Sequence, residues 1–278
     1  MNISNKLRIL IDTEAEDLTS WASGQSVLGP VFARADLKPQ FIALGDTVNA
    51  RSRIIVESVD HVEDLWGAKD TMRMDGAPLE YVPTLEWKRT KKIRSTGSIT
   101  FPSRSRRNRL NPGFLAFDSD FDATIDWLDL FVRWCQATKG VSGLLHLQRE
   151  NAGYVEYEPS DDDERNELQR RALSDFGIGT LRVSYRTDTT DRYVSGLTNL
   201  GWATFLGGDL RSKIDPNRIS QAGFFIRDIG HGFIVTTTEK FSDVVDNFNH
   251  FSAQRSLLKK QFEPDLFLID REPKNLLS

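Results

Sequence analysis

The chain has 278 residues, 39% of them hydrophobic and 27% charged, with a net charge of −4; that composition buries a core in one large domain or two small ones and excludes a disordered chain. A single cysteine, Cys135, excludes an internal disulfide, and with only four histidines a structural zinc site is not expected. No apolar run nears the ~20 residues that span a bilayer, and the only early apolar stretch, Ile9-Leu10-Ile11, lacks the form of a signal peptide, so a cytoplasmic location is expected.

Lys6 to Asp12 reads as a first strand, with Leu7, Ile9 and Ile11 on one face. Thr13 to Glu16 fits a capping box, and the helix it opens runs through Trp21 and ends near Gly24. Arg53 to Val56 forms the core of a strand. Val59, Val62 and Leu65 suit a short helix stopped by Gly67, and Asp75-Gly76 marks a turn. Leu85 to Phe101 reads as a strand pair turning at Thr96-Gly97, its lysines and arginines blunting an exposed sheet edge. The spacing of Ile125, Leu128, Phe131, Val132 and Cys135 predicts a helix over 120–138. Trp127, Leu130 and Trp134 widen its stripe to two sides, Asp118, Asp120 and Asp122 lie at its N-terminal end, and Lys139-Gly140 stops it.

In the second half, Leu144 to Leu147 reads as a buried strand and Ser160 to Phe176 as a helix opened by Asp161, Asp162, Asp163 and Glu164. Leu181, Val183 and Tyr185 alternate as a strand, and Trp202 to Leu206 forms another. Phe224 to Ile226 and Phe233 to Thr237 flank Asp228-Ile229-Gly230-His231-Gly232 as a hairpin. Phe241 to Phe262 closes the fold as one long amphipathic helix, and Leu266 to Ile269 is an apolar patch able to dock as a last strand.

Chemistry-bearing motifs are few. There is no GxGxxG, P-loop, HExxH or GxSxG. Asp161 to Glu164 lack calcium-loop spacing and suit an acidic helix start. His231 fits a hairpin tip, and Cys135 a small core residue. From Trp87 to Phe117 there is no acidic residue but nine basic ones. That stretch suits a solvated edge better than a nucleic-acid surface. Glu86-Trp87-Lys88 matches the carboxylate-x-lysine end of restriction-type nuclease sites. Those also need an aspartate on the preceding strand, and the nearest, Asp75, sits in the expected turn.

The last third carries a family likeness. Leu200-Gly201-Trp202-Ala203-Thr204-Phe205-Leu206 is a strand with a Gly-Trp start, followed by a glycine-containing hairpin. Phe233-Ile234-Val235-Thr236-Thr237-Thr238-Glu239-Lys240-Phe241 then leads into the helix that holds His250 and Ala253. This order, with the Trp-rich helix before it, resembles bacterial polymorphic-toxin immunity proteins, especially the immunity protein 52 family and the related type VI immunity proteins, over roughly residues 115 to 262. The resemblance implies an α+β protein that binds and neutralises a toxin, for immunity protein 52 a restriction-endonuclease-like DNase, and it brings no catalytic residues.

An inhibitor that plugs a nuclease's basic groove needs clustered acids. The candidates are Asp118, Asp120 and Asp122, and Glu156, Glu158, Asp161, Asp162, Asp163 and Glu164, with Tyr154 and Tyr157 as aromatic anchors. The expectation is therefore one α+β domain over 1–278, with possible halves 1–115 and 116–278. Its sheet or sheets, mixed or mostly antiparallel, pack against a few long amphipathic helices. The partner is a cognate toxin, with no cofactor, metal, membrane or nucleic acid, and no catalysis. The alternatives are a nuclease-like enzyme with a diffuse site and a phage or secretion-apparatus subunit.

Overall fold

The computed structural model describes residues 5–45, 53–74, 76–105, 107–149, 167–177, 179–186, 193–264, 266–270 and 272. The fold is α+β, and every strand pair of described register is antiparallel. The chain divides into two compact units, residues 11–141 and residues 1–10 with 142–278.

Strand β1 (Asn5–Thr13) passes from the second of these units into the first. The 11–141 unit continues with α1 (Trp21–Phe32), β2 (Phe41–Leu44), β3 (Ile54–Ile55), β4 (Asp70–Met74), β5 (Ala77–Tyr81), β6 (Leu85–Arg89), β7 (Ser95–Thr100), β8 (Ser103–Arg104), β9 (Leu110–Asn111), β10 (Gly113–Asp120) and α2 (Trp127–Ala137). Its main sheet runs β10-β7-β6-β2-β3, while β4-β5 and β8-β9 are separate hairpins. Leu85, Trp87, Ile99, Leu115 and Phe117 point to the buried side of that sheet. There the Phe117 ring meets Trp134 of α2 edge-on, with centroids 5.0 Å apart. Trp134 Nε1 also donates to Val27 O of α1 at 2.7 Å, so one buried indole ties both helices to the sheet.

Four local expectations are corrected. The first helix starts at Ser20, whose hydroxyl accepts from Ser23 N, and a 3₁₀ turn (Glu16–Thr19) precedes it. Thr13 is a buried tie, donating to Thr138 O at 2.6 Å. Gly24 does not end that helix; a Cβ there would fall 2.6 Å from the Trp21 ring and 2.8 Å from Trp66, so the glycine is set by packing. The β6–β7 turn lies at Thr90–Arg94, and Thr96-Gly97 is inside β7. Gly97 is there because the Trp87 indole lies across it, 2.0 Å from where a Cβ would stand. β6 is accordingly an interior strand between β7 and β2, and the edge is β3.

The second unit adds β11 (Gly140–Arg149), α3 (Glu167–Gly177), β12 (Arg182–Arg186), β13 (Tyr193–Leu197), β14 (Ala203–Gly207), α4 (Pro216–Gln221), β15 (Phe225–Asp228), β16 (Gly232–Thr236), α5 (Asp243–Asp246) and α6 (Phe248–Lys259). Its strands run β15-β16-β14-β11-β1, with β12-β13 a separate hairpin. Every residue of β14 and β16 is buried. On one side Leu144, Leu206, Phe233 and Val235 join Phe176, Leu258, Phe262 and Ile269 in a single apolar cluster. The expected long closing helix is two: Asn247, at φ −140°, breaks it between α5 and α6. Before the break Phe241 stacks on Trp202 with centroids 4.5 Å apart, and after it Phe251 and Arg255 turn into the core.

Candidate functional site

The candidate acids fall into two groups. Tyr154, Glu156, Tyr157, Glu158, Asp161, Asp162, Asp163 and Glu164 lie outside the described residues. Asp118, Asp120 and Asp122 are described, and they are not a helix N-terminus: α2 begins later, capped by Asp126, whose carboxylate accepts from Asp129 N at 2.9 Å. The stripe period extends back past the true start because β10 and the turn after it also carry apolar residues. Asp118 and Asp120 belong to β10. Asp120 accepts from Arg94 N and Nε, both at 3.0 Å, and anchors the start of β7. Asp122 accepts from the Thr124 hydroxyl at 2.6 Å and from Thr124 N at 3.0 Å. Those two bonds, then Lys92 and Arg34 nearby, hold its carboxyl below the usual range.

Alternation along β10 sets Phe114, Ala116, Asp118 and Asp120 on the side of the sheet away from α2. The strand register carries that face across the unit. Asp118 stands opposite Thr96, Thr96 opposite Lys88, Lys88 opposite Phe41, and Phe41 opposite Ile55. One row on five strands thus passes from an acid through a hydroxyl and an amine to an aromatic and an aliphatic side chain. Ile55 is 70% exposed on the edge strand, and the Arg53 guanidinium sits 4.0 Å over the Phe41 ring beside it. The next row is Ala116, Ser98 and Glu86, and the next pairs Phe114, 39% exposed, with Thr100. Five strands ~4.8 Å apart and three rows deep make roughly 400 Å². That is about half of what one partner contributes to a standard interface, ~800 Å², so contact confined to this face would be incomplete.

The nuclease-like triplet does not gather a metal site here. Glu86 and Lys88 share the outer face, with Trp87 on the other, but their cross-strand neighbours are Ser98, Ala43, Thr96 and Phe41. Asp75 is outside the described residues. Among the described residues no group of three or more His, Cys, Asp or Glu is placed to hold a metal ion, and no helix is long and apolar enough to cross a membrane. Cys135 is fully buried, and burial pushes its thiol well up, so it stays protonated. His231 lies in the β15–β16 hairpin, its ring 5.1 Å from Phe205. Of the nine basic residues, Arg106 lies outside the described residues, and three others are engaged within the fold. Arg89 is buried and donates to Lys38 O and Lys92 O, Arg94 pairs with Asp120, and Arg104 pairs with Glu16.

Most residues that carry the family likeness, Leu200 to Leu206 and Phe233 to Thr238, are core, while Glu239, Lys240, His250 and Ala253 are exposed. Trp202 N donates to Nδ1 of the buried His146 at 3.0 Å, which places any ring proton of a neutral His146 on Nε2. Gly201 N donates to Thr204 Oγ1 at 3.0 Å, and Thr237 Oγ1 donates to Gly201 O at 2.8 Å. A Cβ on Gly201 would lie 3.0 Å from Ala203 O and 3.2 Å from Leu145 O. The Gly-Trp start is therefore a chain corner fixed from three sides. No sequence pattern marks His146, whose partner is 56 positions away.

No family model matches the chain, and no curated protein matches it. Among solved structures it is similar to Pseudomonas aeruginosa T6SS protein PA0821, at 12% identity and a TM-score of 0.53, over 95% of this chain and 73% of that one. At that identity the likeness is one of fold.

Proposed function

We propose that this chain is an immunity protein that binds a bacterial toxin and neutralises it by direct contact. The observation that carries the reading is the fold shared over 95% of the chain with a T6SS protein. It agrees with the independent resemblance of residues 115 to 262 to type VI immunity proteins. The second support is chemical. The Gly-Trp corner and its partners are buried, so that part of the family likeness lies in the fold, and contact with a toxin falls to exposed residues.

On this reading the outer face of β10-β7-β6-β2-β3 supplies aromatic and aliphatic anchors in Phe114, Phe41 and Ile55. The acidic run Asp161 to Glu164 supplies the charge that meets a cationic active-site groove, as in a DNase-type effector. The protein acts by occupying a surface, not by turning over a substrate. Expression of the toxin encoded beside this chain tests the reading. Cells making both proteins grow, and cells making the toxin alone do not. Equal killing in both would overturn it.

A further inference from the structure

The second unit buries a charge cluster that its apolar packing does not require. Arg255 and Lys259 stand one helical turn apart on α6, 0% and 9% exposed, and both reach Glu272, 10% exposed, from the segment beyond the helix. Arg255 Nε donates to Glu272 Oε2 at 2.6 Å, with Nη2 also 2.6 Å from that oxygen, and Lys259 Nζ pairs with Oε1. The niche is completed by backbone and rings. Arg255 Nη1 donates to Leu200 O at 3.4 Å, Lys259 Nζ to Ile269 O at 2.7 Å, and the guanidinium lies 4.7 Å from the Phe251 ring centre. Glu272 thus pairs with both buried cations, and the charge of Asp270 also acts on Lys259.

The carboxylate arrives on a strap. After α6 the chain turns back, and residues 266–269 lie along the end of β13 in a short parallel contact. Leu197 N donates to Leu266 O, Leu268 N to Leu197 O and Ile269 N to Thr198 O, at 3.0, 2.8 and 3.1 Å. Beside these three hydrogen bonds, Leu266 and Ile269 are buried in the apolar cluster described above, Phe267 meets Phe262 edge-on at 5.3 Å, and Leu268 packs beside them. Removing one partner of a buried ion pair is far more costly than removing an exposed one.

We propose that Arg255 and Lys259 form a carboxylate-binding niche, filled in cis by Glu272, and that this contact makes the described segment 266–270, with Glu272, a releasable strap. The niche holds the strap closed as long as it has a carboxylate. Without one, the strap opens while the β14–β16 core stays folded. The inference does not depend on the toxin-binding reading.

Amide hydrogen exchange on the full chain tests it, with Leu197, Leu268 and Ile269 reporting on the strap and the amides of β14 and β16 on the core. In Glu272→Ala the strap amides exchange at least ~100-fold faster than in the parent, as loss of a buried pair implies, and the core amides are unchanged. Added acetate restores strap protection in a saturable way, and chloride at equal ionic strength does not. Glu272→Gln, which keeps shape and loses charge, gives an intermediate acceleration and serves if the alanine variant does not fold. Strap protection unchanged in both variants overturns the latch. Strap and core exchanging together in Glu272→Gln also overturns it, because the cluster would then only support the whole unit. Release without acetate rescue overturns the carboxylate site.

Discussion

Gly97 shows how much of this fold turns on single contacts. Its missing side chain is the space in which the Trp87 indole lies. Gly97→Ala is expected to destabilise the 11–141 unit by about 1–3 kcal/mol or more through overpacking, read as a lowered urea midpoint with an unchanged slope. Asp228 gives a residue-scale test in acid. Two hydrogen bonds from Arg211, then one from Gly230 N, and the charges of Arg211 and His231 lower its carboxyl from 3.8 to about 2. Its folded pKa is below its unfolded one, so its contribution is present above about 3.8 and is lost as pH falls through about 2. Arg211→Gln should bring Asp228 back toward the ordinary carboxylate range, followed by carboxyl-carbon NMR titration; an unmoved titration would remove Arg211 as the cause. Neither contact was legible in the sequence. Gly97 reads there as a turn residue, because glycine marks turns more often than it marks a ring lying across a strand. Arg211 is 17 positions from Asp228, beyond any local spacing rule.

At the scale of elements, local pattern succeeded where the periodic signal and the stop signal coincided. β1, the β15–β16 hairpin with Gly230 at φ +95°, and the end of α2 at Lys139-Gly140 were all legible. It failed at helix starts and breaks. The apolar stripe over 120–138 hid the real cap, Asp126, behind three earlier aspartates. Asp126→Ala should cost about 1 kcal/mol by freeing Asp129 N, whereas Asp122→Ala should leave the helical signal of α2 unchanged. Equal effects on helix content would place the helix start earlier. The single long helix expected over 241–262 is two, since Phe248 and Phe251 keep the apolar period across a break at Asn247, whose φ of −140° leaves the helical region. Lys259 adds an element-scale prediction. Burial lowers its pKa from 10.5 against the opposing pull of Glu272. Between that lowered pKa and 10.5 the unfolded chain binds more protons, so Lys259 makes the fold more stable as pH rises through that window. Lys259→Met should flatten that part of the stability profile.

For the molecule as a whole, the α+β class followed from alternating strands and amphipathic helices, whereas mixed and mostly antiparallel pairing were both left open, and the fold is similar to that of a solved T6SS protein. The candidate contact surface was legible only in part. Asp118 was identified as an acid, but its row with Thr96, Lys88, Phe41 and Ile55 comes from strand register, which no local pattern encodes. If that face and the acidic run both meet the toxin, two substitutions should separate them. Phe114→Ala should speed dissociation with little change in salt dependence. Charge reversal at Asp161, Asp162 and Asp163 should slow association and flatten its dependence on ionic strength. Toxin binding is tested most directly by titrating the purified chain with the proposed toxin, sought as the product of an adjacent gene, across a series of salt concentrations. A saturable one-to-one complex that forms faster at low salt and abolishes the toxin's activity in proportion to its occupancy is expected. No complex at micromolar concentrations, with the toxin fully active, would contradict it.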